Sequence, residues 1–575
     1  MPKRALPAIF LIVLLTLVSC GPPEPPPAQA ENQAELDPDG VRLILVLVAD
    51  QCVAEYLDRF APLYHGGLEM LRRKGASFTA AHHFHSTTST AVGHATLATG
   101  CFPGRHGIIA NDWYEKDTGK LVYAVDDEEY DYSPRLMLCH ALGDWLKAAG
   151  SNSKVFAASA KDRAAITMGG HHADGAFWNN RKTGRFRSSD YYYPDGEPAW
   201  VDEFNDQRFL HRHFGEAWEA LPVGPEALEA AGISNTDFGP LHPGFPHVFG
   251  VPSPAPERWF FEGIVESPWG DELLARFGRR LIEAEELGMD GSPDLLFLSF
   301  SALDWVGHDY GPNSREVLDS MMRLDQYLSG LFDFIDETIG LEHTLITFTG
   351  DHGVAPVPEY RQEIGQPGSR LTAESVLCFQ QAGRQLDLRF GDQDWFLPGP
   401  FLNPVAVERS GVPREELESA VAEILSDCPS VDRVWTRSDL LSGSFPDDPV
   451  FSLFRNNFSE ARSPDFLFQF EEYHDLTRGA ATTHGTPYPY DTHVPLILFG
   501  PGIPAGRVHE RVNSVDLAPT LAALAGIPIP EEIDGRSLVP DLENVRVVLD
   551  EVELLALESV AAVETAGTAV EQGAP

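Results

Sequence analysis

Five short apolar runs, each bounded by polar or glycine-containing turns and separated by stretches of helical pattern, constrain this chain more than any other feature. The runs are Val41 to Val48, Lys154 to Ala158, Asp294 to Phe300, Thr344 to Thr349 and Val494 to Phe499. Strand-like runs with helices between them predict an α/β fold, a mostly parallel central sheet flanked by helices. In open sheets of this kind ligands gather beyond the carboxyl ends of the strands. The residues that follow each run are therefore where chemistry is to be sought.

Those residues form a coherent set. Asp50 follows the first run, Asp304 and His308 follow the third, Asp351 and His352 follow the fourth, and His484 lies just before the fifth. Taken singly, an aspartate after a strand is a helix cap and a histidine is a solvated or core side chain. Three carboxylates and three imidazoles delivered to one sheet edge are instead the ligand inventory of a two-metal oxygen/nitrogen site. The net charge of −44 over 575 residues excludes a basic nucleic-acid-binding surface. It also repels anionic substrates at long range, so a site for an anion must carry its own positive charge, and metal ions are the strongest such charges.

A hydroxyl stands close by in the sequence. The run Ser86-Thr87-Thr88-Ser89-Thr90 leads into Ala91-Val92-Gly93-His94-Ala95-Thr96-Leu97, a cap followed by a short helix with Thr90 at its start. A hydroxyl there faces the positive end of the helix dipole and unpaired backbone N–H groups, which favour both an alkoxide and a bound phosphate. Read alone, this is an ordinary N-cap.

The ends of the chain read differently. Lys3 and Arg4 precede an apolar run from Ala8 to Val18 that closes at Leu17-Val18-Ser19-Cys20. This resembles a bacterial lipoprotein signal, with residues 1–19 removed and Cys20 acylated. Residues 20–40 are rich in Pro, Ala and Glu and form a tether, reaching roughly 60 Å at about 3.1 Å per residue. The expected body is residues 41–543, and residues 544–575 are an acidic, mobile tail. Within the body, residues 356–480 separate Asp351-His352 from His484 and are read as an insertion or cap on the metal face. They carry an amphipathic stretch near Arg414 to Leu425 and aromatics such as Trp395 and Phe396. The five cysteines after Cys20 leave room for one or two disulfides in an oxidising compartment, with the partners unassigned.

Taken in order, these motifs resemble the alkaline phosphatase superfamily, and within it threonine-dependent periplasmic phosphatases related to the nucleotide pyrophosphatase/phosphodiesterase group. The resemblance runs from about Val41 to Leu538. It is carried by Leu47-Val48-Ala49-Asp50-Gln51, Thr90 through His94, Thr99 through Pro103, His106 through Trp113, Ser159 through Arg163, Asp304 through His308, Asp351-His352-Gly353, His484-Gly485 and Val515 through Thr520. It implies an alkaline phosphatase-like fold and two Zn²⁺ ions, one on Asp304, His308 and His484, the other on Asp50, Asp351 and His352 with Thr90 against it. It further implies that Thr90 is a nucleophile forming a phosphothreonine and that Asn111 donates to a phosphoryl oxygen. Lys161 and Arg163 resemble the pair that contacts the remaining oxygens in monoesterase members. The implied partners are small-molecule phosphate monoesters and, through the N-terminal lipid alone, an envelope membrane, with outer-membrane placement expected from Gly21. Oligomeric state is not readable.

Three other readings remain open. A phosphodiesterase or nucleotide pyrophosphatase shares every motif except Lys161 and Arg163. An arylsulfatase is suggested by Cys101-Phe102-Pro103-Gly104-Arg105, although a threonine already fills the nucleophile position and Gln51 stands where a paired aspartate is expected. A catalytically silent surface lipoprotein would keep the fold without needing the ligands.

Overall fold

The computed structural model describes residues 40–546, apart from 151, 235, 237–243, 251–252, 444, 446, 476 and 478. The signal sequence, Cys20, nearly all of the tether and the tail from 547 onward lie outside the described residues. Among the described residues no helix is long and apolar enough to cross a membrane.

The fold is α/β, with a mostly parallel nine-stranded sheet between helical layers. In chain order its strands are β1 (Leu43–Ala49), β2 (Ala76–Phe78), β3 (Val155–Ser159), β4 (Gly175–Asn180), β5 (Arg185–Arg187), β6 (Asp294–Phe300), β7 (Thr344–Thr349), β8 (Leu496–Phe499) and β9 (Gly506–Val508). Their spatial order is β5-β4-β3-β6-β1-β7-β8-β2-β9. The five strands from β4 to β7 in that order are mutually parallel, while β5 and β8 run antiparallel to their neighbours. The last apolar run therefore enters the sheet in the opposite direction from the other four. It also starts two residues later than its hydrophobicity suggests.

Every residue of β1, β6 and β7 is buried. Alternation along β1 divides the core in two. Leu43, Leu45 and Leu47 pack with helices α4 (Pro268–Glu285) and α6 (Arg315–Thr338). Ile44, Val46 and Val48 face Ala91, Ala95 and Ala98 of helix α1 (Thr90–Thr99). Successive strand side chains point to opposite faces, so a continuously apolar strand is what a three-layer fold demands. Helices α2 (Leu142–Ala148), α3 (Asp162–Gly169) and α5 (Ala302–Tyr310) complete the elements that matter for the site.

Register delivers the site. Ala49 pairs with Phe300 of β6, Val48 pairs with Thr349 of β7, and Ser299 pairs with Ser159 of β3. Four carboxyl ends thus line up on one edge, and the backbone N–H of Asp50 donates to the carbonyl of Phe300 at 2.9 Å.

Between the fourth and fifth apolar runs the chain builds a separate core. Helices α7 (Ala373–Phe390) and α8 (Arg414–Ser426) pack Leu386, Leu417, Val421 and Ile424 with Trp395 and Leu402. The strands Val431–Thr436 and Phe466–Phe470 form an antiparallel pair there. A disulfide joins Cys378 of α7 to Cys428, just past α8.

Candidate active site

Each carboxylate arrives where its strand ends, and each imidazole is aimed by a backbone carbonyl. The ligand atoms gather into two adjacent groups, Asp304, His308 and His484 in one, Asp50, Asp351 and His352 in the other. His308 Nδ1 donates to Thr482 O at 2.9 Å, His352 Nδ1 to Gly353 O at 2.9 Å and His484 Nδ1 to Thr88 O at 2.7 Å. A carbonyl oxygen only accepts, so in each neutral ring Nδ1 carries the proton and Nε2 presents its lone pair to the site. His352 and His484 stack at 3.7 Å between centroids, which places the two groups side by side.

The residues present fit a pair of divalent cations. His308 and His484 Nε2 each lie 3.4 Å from Asp304 Oδ1, and His352 Nε2 lies 3.5 Å from Asp50 Oδ1 and 3.4 Å from Asp351 Oδ2. A tetrahedron of ~2.0–2.1 Å metal–ligand bonds has edges of about 3.3–3.4 Å. Among the described residues Asp50 Oδ1, Asp351 Oδ2 and His352 Nε2 are buried without a hydrogen-bond partner. Orphaned acceptors of this kind are costly unless something positive sits among them. Burial and the neighbouring Asp351 push Asp50 up to about 7, against the pull of Lys161. Burial lowers His352 to about 3, leaving a neutral, ligand-ready ring. Burial also opposes the charge of Asp304, but Lys161 and His308 hold it well below the usual carboxylate range.

Thr90 is the first residue of α1 and is buried at the same edge. Its hydroxyl accepts from Arg163 Nη2 at 3.2 Å and from Lys161 Nζ at 3.5 Å. Lys161 sits between the two groups, donating at 2.6 Å to Asp50 Oδ2 and at 2.6 Å to Asp304 Oδ2. Burial works against the charge of Arg163, yet Tyr123 and Asp50 keep it above the usual arginine range. Asn111 Oδ1 accepts from the N–H of Ala91, which ties its amide to the start of α1. Close approach is enforced by Gly93, where an added Cβ would run into the carbonyl oxygen of Asp351.

Three contributors escaped the sequence reading. Gln51, at φ 67°, donates through Nε2 to Asp304 Oδ1 at 2.8 Å and through its backbone N–H to Asp351 Oδ1 at 3.1 Å, spanning both groups. A non-glycine residue held in that strained region is a signal only the backbone carries. Tyr123 donates to Asp162 Oδ1 at 2.5 Å and accepts from Arg163 Nη1 at 3.4 Å, and nothing in its sequence neighbourhood marks it. Asn457 Oδ1 accepts from Thr87 N at 3.2 Å while its Nδ2 donates to Ile109 O at 3.2 Å, so the inserted segment braces the loops that present Thr90 and Asn111. Cys101 is buried just past the end of α1 at Thr99, about 13 Å from Thr90 along the helix at 1.5 Å per residue, which argues against the sulfatase reading.

Known proteins resemble this chain over most of its length. The profile of the type I phosphodiesterase/nucleotide pyrophosphatase family matches residues 44–486. The chain is 30% identical to the alkaline phosphatase PhoV of Synechococcus elongatus, over 93% of this chain and 99% of that protein. It is 29% identical to the alkaline phosphatase PafA of Elizabethkingia meningoseptica, over 86% and 94%. The crystal structure of wild-type PafA superposes with a TM-score of 0.78 at 28% identity, covering 87% of this chain and 99% of the other.

Proposed function

This chain belongs to the type I phosphodiesterase/nucleotide pyrophosphatase family, and from that premise we propose that it is an alkaline phosphatase, hydrolysing phosphate monoesters through a phosphothreonine at Thr90. The observation that carries the reading is the convergence of Lys161 and Arg163 on the Thr90 hydroxyl beside two three-ligand groups. A monoester dianion has three unsubstituted oxygens, and two cations with one amide match that charge better than they match a diester, which carries carbon on one of them.

Asp304, His308 and His484 would hold one zinc ion and Asp50, Asp351 and His352 the other, and when bound the pair supplies charge stabilisation at phosphorus and lowers the pKa of an adjacent hydroxyl. Arg163 and Lys161 fix the Thr90 oxygen at the start of α1, where the helix dipole favours its anionic form. Thr90 Oγ1 attacks phosphorus in line, its proton passing to solvent. The Oγ1–P bond forms as the ester P–O bond breaks, and the departing alcohol regains a proton from water. A water molecule then attacks the phosphothreonine, releasing inorganic phosphate and restoring the hydroxyl. Throughout, Asn111, Lys161 and Arg163 hold the phosphoryl oxygens.

The test is to quench turnover of an aryl monoester in acid and map bound phosphate by mass spectrometry. Label on Thr90, absent from Thr90→Ala, is expected; label elsewhere, or faster hydrolysis of the matching diester, overturns the reading. The Cys378–Cys428 disulfide supports an oxidising compartment. That agrees with a periplasmic, Cys20-anchored enzyme, for which a diacylated N-terminal cysteine in the mature protein is the decisive observation.

A further inference from the structure

A third cluster repeats the geometry of the two at the active edge. His140, Asp144 and His171 bring their ligand atoms within 4.8 Å of one another. Asp144 lies in the first turn of α2, and His171 lies in the turn between α3 and β4. Lys161 caps the opposite end of α3, and β4 runs parallel to β3. The cluster therefore occupies the amino edge of the sheet, the far side from Thr90.

His171 Nε2 donates to the carbonyl of Met137 at 3.0 Å, so in the neutral ring Nδ1 is a bare lone pair. That lone pair faces Asp144 Oδ2 at 3.4 Å, and His140 Nδ1 faces the same oxygen at 3.5 Å. Both separations equal the ligand–ligand spacings at the active edge, close to the edge of about 3.3–3.4 Å expected around a zinc-class ion. As hydrogen bonds to a carboxylate both are long. Asp144 is otherwise pinned by its backbone, Oδ2 accepting from Ala141 N at 2.8 Å and Oδ1 from His172 N at 2.7 Å. The first bond caps α2 and the second ties Asp144 to the α3–β4 turn. Neither explains why the ring nitrogens of two histidines are turned onto the same buried oxygen.

The geometry points to a third divalent-metal site, in which His140, Asp144 and His171 hold one zinc-class ion that clamps the start of α2 to the α3–β4 turn. The ring nitrogens and carboxylate oxygen suit zinc over calcium or magnesium, which favour all-oxygen shells. The His140 side chain is 16% exposed, which provides the route of entry.

The experiment measures zinc per chain by plasma mass spectrometry on purified, desalted holoenzyme, wild type against His140→Ala. A loss of one ion per chain with phosphatase activity retained is expected. The readout is the difference rather than the total, so it stands even if the pair at the active edge is not zinc. Equal metal content in the two proteins overturns the proposal. Should His140→Ala fail to fold, anomalous scattering at the zinc edge from wild-type crystals decides. A peak within about 2.0–2.2 Å of Asp144 Oδ2 and both Nδ1 atoms supports the site; a map without one overturns it.

Discussion

Replacing Lys161 by alanine separates monoester from diester chemistry, and the structure sets the size of the effect. The ammonium is almost wholly buried and lies 3.5 Å from the Thr90 hydroxyl, within reach of a phosphoryl oxygen on that atom. A hydrogen bond to a charged group contributes about 1.5–3 kcal/mol. At about 1.36 kcal/mol per decade of rate, its loss lowers kcat/KM for an aryl phosphate monoester by about 10- to 150-fold. A diester lacks the third unsubstituted oxygen, so its kcat/KM is expected to change by less than about 3-fold, within the roughly 0.5 kcal/mol that separates uninvolved positions. Lys161 also neutralises Asp50 and Asp304, at 2.6 Å from each. Steady-state kinetics should therefore be run in excess zinc, with Lys161→Met as a companion that keeps an aliphatic stem beside Trp305, over whose ring the ammonium sits at 5.1 Å. Equal losses on the two esters would show that Lys161 acts on the carboxylates alone, and the assignment to phosphate would fall.

Other consequences are equally open to measurement. Gly93→Ala should cost about 1–3 kcal/mol by overpacking against Asp351 and reduce turnover sharply, read by thermal melting and kcat together; an active variant of unchanged stability would mean that α1 does not sit as closely as described. Removing metal with a chelator should abolish hydrolysis and lower the melting temperature, since a cation at 1,000 times its Kd contributes about 4 kcal/mol; zinc should restore both, and activity that survives exhaustive chelation contradicts the two-group site. Cys378→Ser should destabilise the inserted segment by about 4 kcal/mol on the chain-entropy estimate for a separation of 50 residues, seen as new proteolytic cleavage between 373 and 470 before the sheet unfolds.

The sheet and the six candidate ligand residues that gather at its edge were legible because both are local signals. A buried strand writes itself as a run of apolar residues, and β1, β3, β6 and β7 begin or end within two residues of the runs that announced them. Asp50, Asp304 and Asp351 follow their strands closely, so knowing where strands end was enough to bring them to one edge. The edge strands β5 and β9, and β2 beside β9, have three residues each, too few for any periodicity to show. The reversed direction of β8 depends on which neighbour it pairs with, which composition does not encode.

Residue order alone determined the fold class, the chemical kinds of ligand and the hydroxyl at the helix start, because each depends on neighbours a few positions away. Tertiary structure alone decided that Gln51 spans Asp304 and Asp351, 253 and 300 residues distant. It also decided that Tyr123 steadies Arg163, that Cys378 meets Cys428, and that His140 and His171 turn onto Asp144. Apart from His140 with Asp144, four residues apart, these contacts arise from chain closure over long separations. Their distances and lone-pair directions exist only after the strands have chosen partners and register.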